Sequence, residues 1–248
     1  MMKIKYAFAS VPGKKHSGEG QVSQDYTWAG MLGGKFTAIA SDGCGSRQFG
    51  REAAELTVKA VQKYLSQSPW DVAGIINAVV KQIYQNAFGS VDIIAEYAAT
   101  LLVCQMNGTT LNTLQLGDGY IGYKTTDKWQ IAKYLHRSEY VNETNYVCDL
   151  WNMQKSQWKK FYEEYEVQEV GAFILCTDGF ENYCIEKTAD KASIYQPFLE
   201  SNIAALIDMD VEQDEINKRF AEMITNGNED IAIQEDDKSL IIATMFSA

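Results

Sequence analysis

Apolar and polar positions alternate with period two over residues 3–10, and again over Lys35-Phe36-Thr37-Ala38-Ile39-Ala40. Both runs predict β-strands. Between them, residues 12–24 are Gly-rich and charged and predict a loop. From 49 to 65 the period changes: Ala54, Val58, Val61 and Leu65 recur at helical spacing. Ser68-Pro69 then reads as an N-cap with proline at the first helical position. Behind it Val72, Ile75, Ile76, Val79, Ile83 and Tyr84 form the apolar stripe of a second helix ending near Phe88-Gly89. Strand character returns at 98–106, and Asn107-Gly108 is a hairpin signal that turns the chain into a return strand at 111–116. A further strand at 120–125 continues the meander. Residues 127–169 carry aromatics and charges without a clean period and predict an irregular flap. Residues 172–176 read as a buried-type strand, 194–226 as one or two helices, and 240–246 as the last strand.

Composition narrows the classes. A chain of 248 residues, 46% hydrophobic and 22% charged, suits one sizeable domain with a full core. Three prolines and no low-complexity tract leave no linker, so residues 1–248 are read as one domain. The net charge of -11 argues against nucleic acid as a partner, whose phosphates select clustered Lys and Arg. An acidic protein still binds a phosphate where metal ions invert the local field. No stretch approaches the ~20 apolar residues of a membrane helix, and the N-terminus alternates instead of forming a signal-peptide core. Cys44, Cys104, Cys148, Cys176 and Cys184 are odd in number and form no C-x-x-C pair. Reduced thiols and a cytoplasmic location are expected.

Three apolar strands each run into Asp-Gly: Asp42-Gly43, Asp118-Gly119 and Asp178-Gly179. A fourth acidic element, Asp236-Asp237, stands before the last strand. Glycine permits a tight turn and a close approach of backbone to ligand. Carboxylates converging at strand ends repel one another unless cations neutralise them. Such all-oxygen sites suit Mg²⁺ or Mn²⁺. A lone Asp-Gly is usually only a capped turn; four acidic turns in one mixed α/β domain favour a metal site.

In order, Gln24-Asp25, Ala40-Ser41-Asp42-Gly43-Cys44-Gly45-Ser46, Leu116-Gly117-Asp118-Gly119, Leu175-Cys176-Thr177-Asp178-Gly179-Phe180 and Asp236-Asp237-Lys238-Ser239-Leu240 span nearly the whole chain. Together they resemble the motifs of the metal-dependent (type-2C) protein phosphatases, most of all a bacterial branch with Gln-Asp and Asp-Gly-x-Gly-Ser. The resemblance implies an α+β fold, an α-β-β-α sandwich of two mostly antiparallel sheets flanked by helices. It implies hydrolysis of phosphoserine and phosphothreonine on a protein substrate by a metal-bridged hydroxide, opposing a cognate kinase, with neither nucleic acid nor membrane as partner. The cofactors implied are two Mg²⁺ or Mn²⁺ ions, with a third, weaker one in bacterial members. By position, Asp42, Asp178 and Asp236 carry the catalytic metals, Asp42 bridging two ions and the Gly43 carbonyl reaching one. Asp118 matches the ligand of the third ion, and Asp25 an acidic residue that works through bound water.

The chain also departs from that pattern. Gln24 stands where many members have glutamate. Residues 17–23 hold no arginine, where many members clamp the phosphate. His16 and Lys15 are the candidate substitutes. The departures keep open an alternative, a pseudophosphatase that binds phosphoprotein or metal without turnover.

Other phosphatase chemistries fit less well. No cysteine is followed six residues later by arginine, and the two histidines form no His-Glu-x-x-His. Asp208-Met209-Asp210 mimics an aspartyl-phosphate motif, but too little chain follows it, and it reads as a turn between helices.

Overall fold

The structure, a computed structural model, describes residues 2–18, 20–126, 128–132, 144–188 and 191–247. Its strands are β1 (Met2–Val11), β2 (Tyr26–Leu32), β3 (Lys35–Ser41), β4 (Leu101–Asn107), β5 (Thr110–Leu116), β6 (Tyr120–Thr125), β7 (Lys128–Ile131), β8 (Tyr162–Val167), β9 (Val170–Cys176), β10 (Ile185–Thr188), β11 (Lys191–Ile194) and β12 (Lys238–Ser247). Its helices are α1 (Lys14–Gly18), α2 (Gly50–Gln67), α3 (Val72–Asn86), α4 (Val91–Ile94), α5 (Lys155–Trp158), α6 (Asp178–Cys184), α7 (Gln196–Asp208), α8 (Gln213–Asn226) and α9 (Glu229–Ile233).

Two five-stranded antiparallel sheets stack face to face. One has the order β1-β12-β9-β6-β7, the other β2-β3-β4-β5-β8. Ala38, Ala40, Leu102 and Cys104 of the second sheet meet Ile121, Phe173, Leu175 and Ile241 of the first in the inner core. The outer face of the β2–β8 sheet is covered by α2 and α3. That of the β1–β7 sheet is covered by α6, α7 and α8. The result is the α-β-β-α sandwich expected. Because both faces of its middle strands are covered, Phe36 to Ser41 is buried throughout, although its sequence alternates.

The α2–α3 layer follows its apolar stripes. Ile75, Ile76, Val79 and Ile83 are all but sealed from solvent, each contributing about 1.5–3 kcal/mol of burial. Tyr84, counted in that stripe, is 45% exposed and lies at its edge. The start of α3 differs from the Ser68-Pro69 expectation. The Ser68 N–H bonds the Tyr64 carbonyl and closes α2, while the Asp71 carboxylate caps α3 by accepting from the Gly74 N–H at 3.0 Å. Asp outcompetes the Ser-Pro signal because it sits three residues before an unpaired amide.

Three further departures bear on the site. The loop expected at 12–24 contains α1, tied to the chain before β12 through Lys14 N–H to the Gln234 carbonyl at 2.8 Å. β2, for which the pattern predicted nothing regular, pairs with β3 along its whole length. Within the stretch read as an irregular flap, 128–131 and 162–167 are strands, and β8 pairs with β5 from Leu111↔Val167 to Leu116↔Tyr162. Residues 127 and 133–143 of that stretch lie outside the described residues, as does Glu19. Among the described residues no helix is long and apolar enough to cross a membrane.

Candidate active site

Strand register brings the acidic turns to one end of the sandwich. Tyr26 pairs with Ser41, so Asp25 before β2 and Asp42 after β3 leave their sheet side by side. In the other sheet Cys176 pairs with both Tyr120 and Leu240. That places Asp178 between Asp118, which precedes β6, and Asp236, which precedes β12. The sheets stack with these ends together, and Asp25, Asp42, Gly43, Asp118, Asp178 and Asp236 line one cleft of about 200 Å³. His16 and Gln24 line it as well, and Asp237, Cys44 and Tyr146 complete its rim. Lys15 is exposed on α1 and is not among the lining residues.

Each glycine of the Asp-Gly turns has its own reason. Gly119 holds φ +89°, a left-handed conformation that a side chain resists. Gly43 and Gly179 are packed against backbone instead. A Cβ would stand 2.3 Å from the Gly50 carbonyl oxygen at the first and 2.0 Å from the Asp237 carbonyl oxygen at the second. The close fit of Gly179 locks the start of α6 to the start of β12, and so fixes Asp178 relative to Asp236.

The carboxylates are held by a short shell of hydroxyls and amides. Thr177 Oγ1 donates to Asp25 Oδ2 at 2.7 Å, and the Asp25 N–H donates to Ser23 Oγ at 3.1 Å. Thr100 clasps Asp42 on both sides: its hydroxyl accepts from the Asp42 N–H at 3.0 Å, and its N–H donates to the Asp42 carbonyl at 2.9 Å. Thr144 Oγ1 donates to Asp118 Oδ2 at 2.7 Å. Asp237, by contrast, points away from its neighbour. Its Oδ1 accepts from the Gly13 N–H at 2.8 Å and lies 2.8 Å from His16 Nδ1, and its Oδ2 accepts from the Gln24 N–H. Of the pair read together in the sequence, Asp236 faces the cleft floor and Asp237 stitches the 13–24 segment to it.

Electrostatic crowding is severe. Burial, opposed by the Thr177 and Ser239 hydroxyls and assisted by Asp237 and Asp178, pushes Asp25 up to about 7. Burial, then Asp118, raises Asp178 to about 6. Burial, then Asp25, Asp178 and Asp118, holds Asp42 well above the ordinary carboxylate range. Asp42 lies within hydrogen-bonding reach of both Asp25 and Asp178, a pairing that requires a shared proton. Among the described residues no three His, Cys, Asp or Glu side chains already form a metal cage. The donor set nevertheless fits hard cations: five carboxyl side chains line one cleft, and a divalent ion would relieve the repulsion that protons otherwise quench.

Several participants were invisible to sequence reasoning. Tyr146 comes from the stretch without periodicity, and its hydroxyl bonds the Cys44 thiol at the cleft rim. Burial raises that thiol, but hydrogen bonds from Ser46 and Tyr146 outweigh it and leave it lowered. Arg51, the second residue of α2, bonds the Ser23 carbonyl behind Asp25. No spacing rule links it to the acidic turns.

Residues 12–223 match the family model described as Protein phosphatase 2C. The fold is similar to that of the catalytic domain of the serine threonine protein phosphatase PstP in complex with two manganese ions. Identity is 14%, TM-score 0.62, and all of both chains is covered. It is similar also to the serine/threonine phosphatase Stp1 from Staphylococcus aureus, at 10% identity and TM-score 0.63 over 99% of this chain and 96% of that one. RsbX in complex with magnesium is 14% identical, with TM-score 0.59 over 99% and 100% of the two chains. At such identities these likenesses establish the fold. No curated protein matches the chain.

Proposed function

The chain belongs to the protein phosphatase 2C family of serine/threonine phosphatases, and from that premise we propose that it hydrolyses phosphoserine and phosphothreonine in a protein substrate. One observation carries this reading: five aspartates from four strand ends and one helix start line a single cleft, with Asp25, Asp42 and Asp178 all raised by burial and by one another. Mg²⁺ or Mn²⁺, when bound there, supplies the activated water and neutralises phosphoryl charge.

The chain's own residues do the rest. Asp42, Asp178, Asp236 and the Gly43 carbonyl would hold two ions, and Asp118, oriented by Thr144, would hold a third. Asp25 keeps its carboxyl fixed through Thr177 and accepts a hydrogen bond from water in the cleft. His16 is oriented by Asp237 and reaches a phosphoryl oxygen from the rim. Lys15, on the outer face of α1, does not. The cleft admits a phosphate monoester and leaves the bulk of the substrate outside. No covalent phosphoenzyme is required. A kinase acting on the same substrate, and a cytoplasmic setting consistent with five free cysteines, complete the proposal.

The test is hydrolysis of p-nitrophenyl phosphate and a phosphothreonine peptide in Mn²⁺, Mg²⁺ and EDTA, beside Asp42→Asn and Asp178→Asn. Metal-dependent turnover that both variants lose supports the reading. Folded protein without turnover in any metal overturns it. That outcome favours the pseudophosphatase, with Gln24 as first suspect, since its buried Oε1 has no hydrogen-bond partner.

A further inference from the structure

A second cavity, of about 450 Å³, adjoins the acidic cleft on the far side of Asp25, which lines both. Its wall is mixed: Phe8, Pro12 and Tyr26 stand beside Ser10 and Thr27, and Val22, 60% exposed, lines it as well. Its single basic side chain among the described residues is Arg51.

Arg51 is unusual on three counts. It is a cation in the first turn of an 18-residue helix, where the dipole favours anions. It is partly buried, yet among the described residues it forms no ion pair. One N–H donates to the Ser23 carbonyl, and a guanidinium has five to offer. A half-buried cation without a counter-ion among the described residues, placed against its helix, is a local inconsistency of the kind found at functional sites. Ser23 in turn accepts from the Asp25 N–H, so Arg51 is linked directly to the wall of the catalytic cleft.

We propose that this cavity is a subsite for the residues flanking the phosphorylated one, and that Arg51 selects substrates with an acidic side chain there. The inference rests on the phosphatase reading above. Because Asp25 lines both the cleft and the cavity, a peptide with its phosphate over the aspartates has its adjacent residues as the ones placed to reach the cavity. A carboxylate on either of them meets the planar fork of Arg51, a geometry suited to bidentate pairing. Elsewhere the cleft is lined by aspartates and the chain carries a net charge of -11, which repels acidic flanks. Arg51 offsets that repulsion at one place and so confers selectivity by position.

The test compares phosphothreonine peptides carrying Glu, Gln or Lys at the two positions on either side of the phosphothreonine, with the Mn²⁺-loaded protein. Each peptide is followed both by kcat/KM and by fluorescence-anisotropy binding. The expected result is a preference for the Glu over the Gln peptide of about tenfold, typical of a partly desolvated ion pair. Arg51→Gln removes the preference, and Arg51→Glu transfers it to the Lys peptide, which a merely structural role would not do. Equal values for Glu and Gln peptides in the parent protein overturn the proposal. So does an Arg51→Gln loss of the same factor on every peptide, the signature of a pin for the 20–24 segment. Absence of turnover with the Glu preference retained in binding counts against hydrolysis alone and supports the subsite.

Discussion

Asp42 and His16 face the same cleft, but they are held by different kinds of structure. Asp42 ends a strand paired on both edges, and Thr100 grips its backbone from either side. Asp118, Asp178 and Asp236 are likewise set by strand register. His16 sits on a five-residue helix whose order depends on one buried carboxylate, Asp237, and on backbone bonds to residues 234 and 235. Gln24 and Tyr146 belong to the same rim. The floor is thus set by two sheets that must form anyway, whereas the rim is a set of single side-chain contacts that a few substitutions can rebuild. On the function proposed above, the floor would carry the metal chemistry and the rim the substrate selection.

The sharpest way to break this division is at the floor. Asp42→Asn is expected to lower kcat by about 10²–10³, the scale of losing one electrostatic element of a catalytic site, with the fold intact by circular dichroism. A comparable loss from His16→Ala would erase the distinction. Next in size, Gly179→Ala forces a Cβ against the Asp237 carbonyl oxygen. It should cost about 2–3 kcal/mol of stability, as overpacking does, read as a lowered denaturation midpoint. Asp237→Asn tests the rim's anchor. The carboxylate accepts from Gly13 and Gln24 and faces His16, so the variant should lose about 1–3 kcal/mol and raise KM more than it lowers kcat.

A smaller effect separates floor from rim by pH. In EDTA, Asp25 at about 7 and Asp178 at about 6 bind protons in the folded state at pH values where the unfolded chain, near 3.8, has released them. The contribution of these two groups is therefore full in acid and is lost as pH rises through 6 to 7. The melting temperature in EDTA should be higher at pH 6 than at pH 8, by the equivalent of about 1–2 kcal/mol. Saturating Mn²⁺ should remove or reverse the trend, because the ion replaces the protons. A metal-free protein with flat stability over that range would show that these carboxyls are not crowded. Smallest of all, His16→Ala should raise KM for p-nitrophenyl phosphate by about threefold, one rim hydrogen bond being worth about 0.5–1.5 kcal/mol.

What was legible in the sequence follows the same line. The helical stripes of α2 and α3, the Asn107-Gly108 hairpin and the strand-end Asp-Gly turns are local signals, and the structure forms each of them. The acidic residues named from those turns all line one cleft, because an aspartate at the end of a register-locked strand has nowhere else to go. The misreadings lie where long-range contacts decide. Ser68 was spent closing α2, so Asp71 capped α3. β2 and β8 are edge strands whose order comes from β3 and β5. Asp237 looks like Asp236 in the sequence, and only the neighbouring 13–24 segment turns it into an anchor.

By itself, then, the chain determined the central strands of its two sheets, its buried helix faces and the aspartates at its turns, since these depend on periodicity and on residues adjacent in sequence. The tertiary structure alone decided which carboxyls share a proton, which side of Asp25 opens into a second cavity, and that Arg51 stands beside it. Those relations join residues 17 to 136 positions apart (Asp25 to Asp42, Asp42 to Asp178), and they exist only once the strands have paired and the two sheets have stacked.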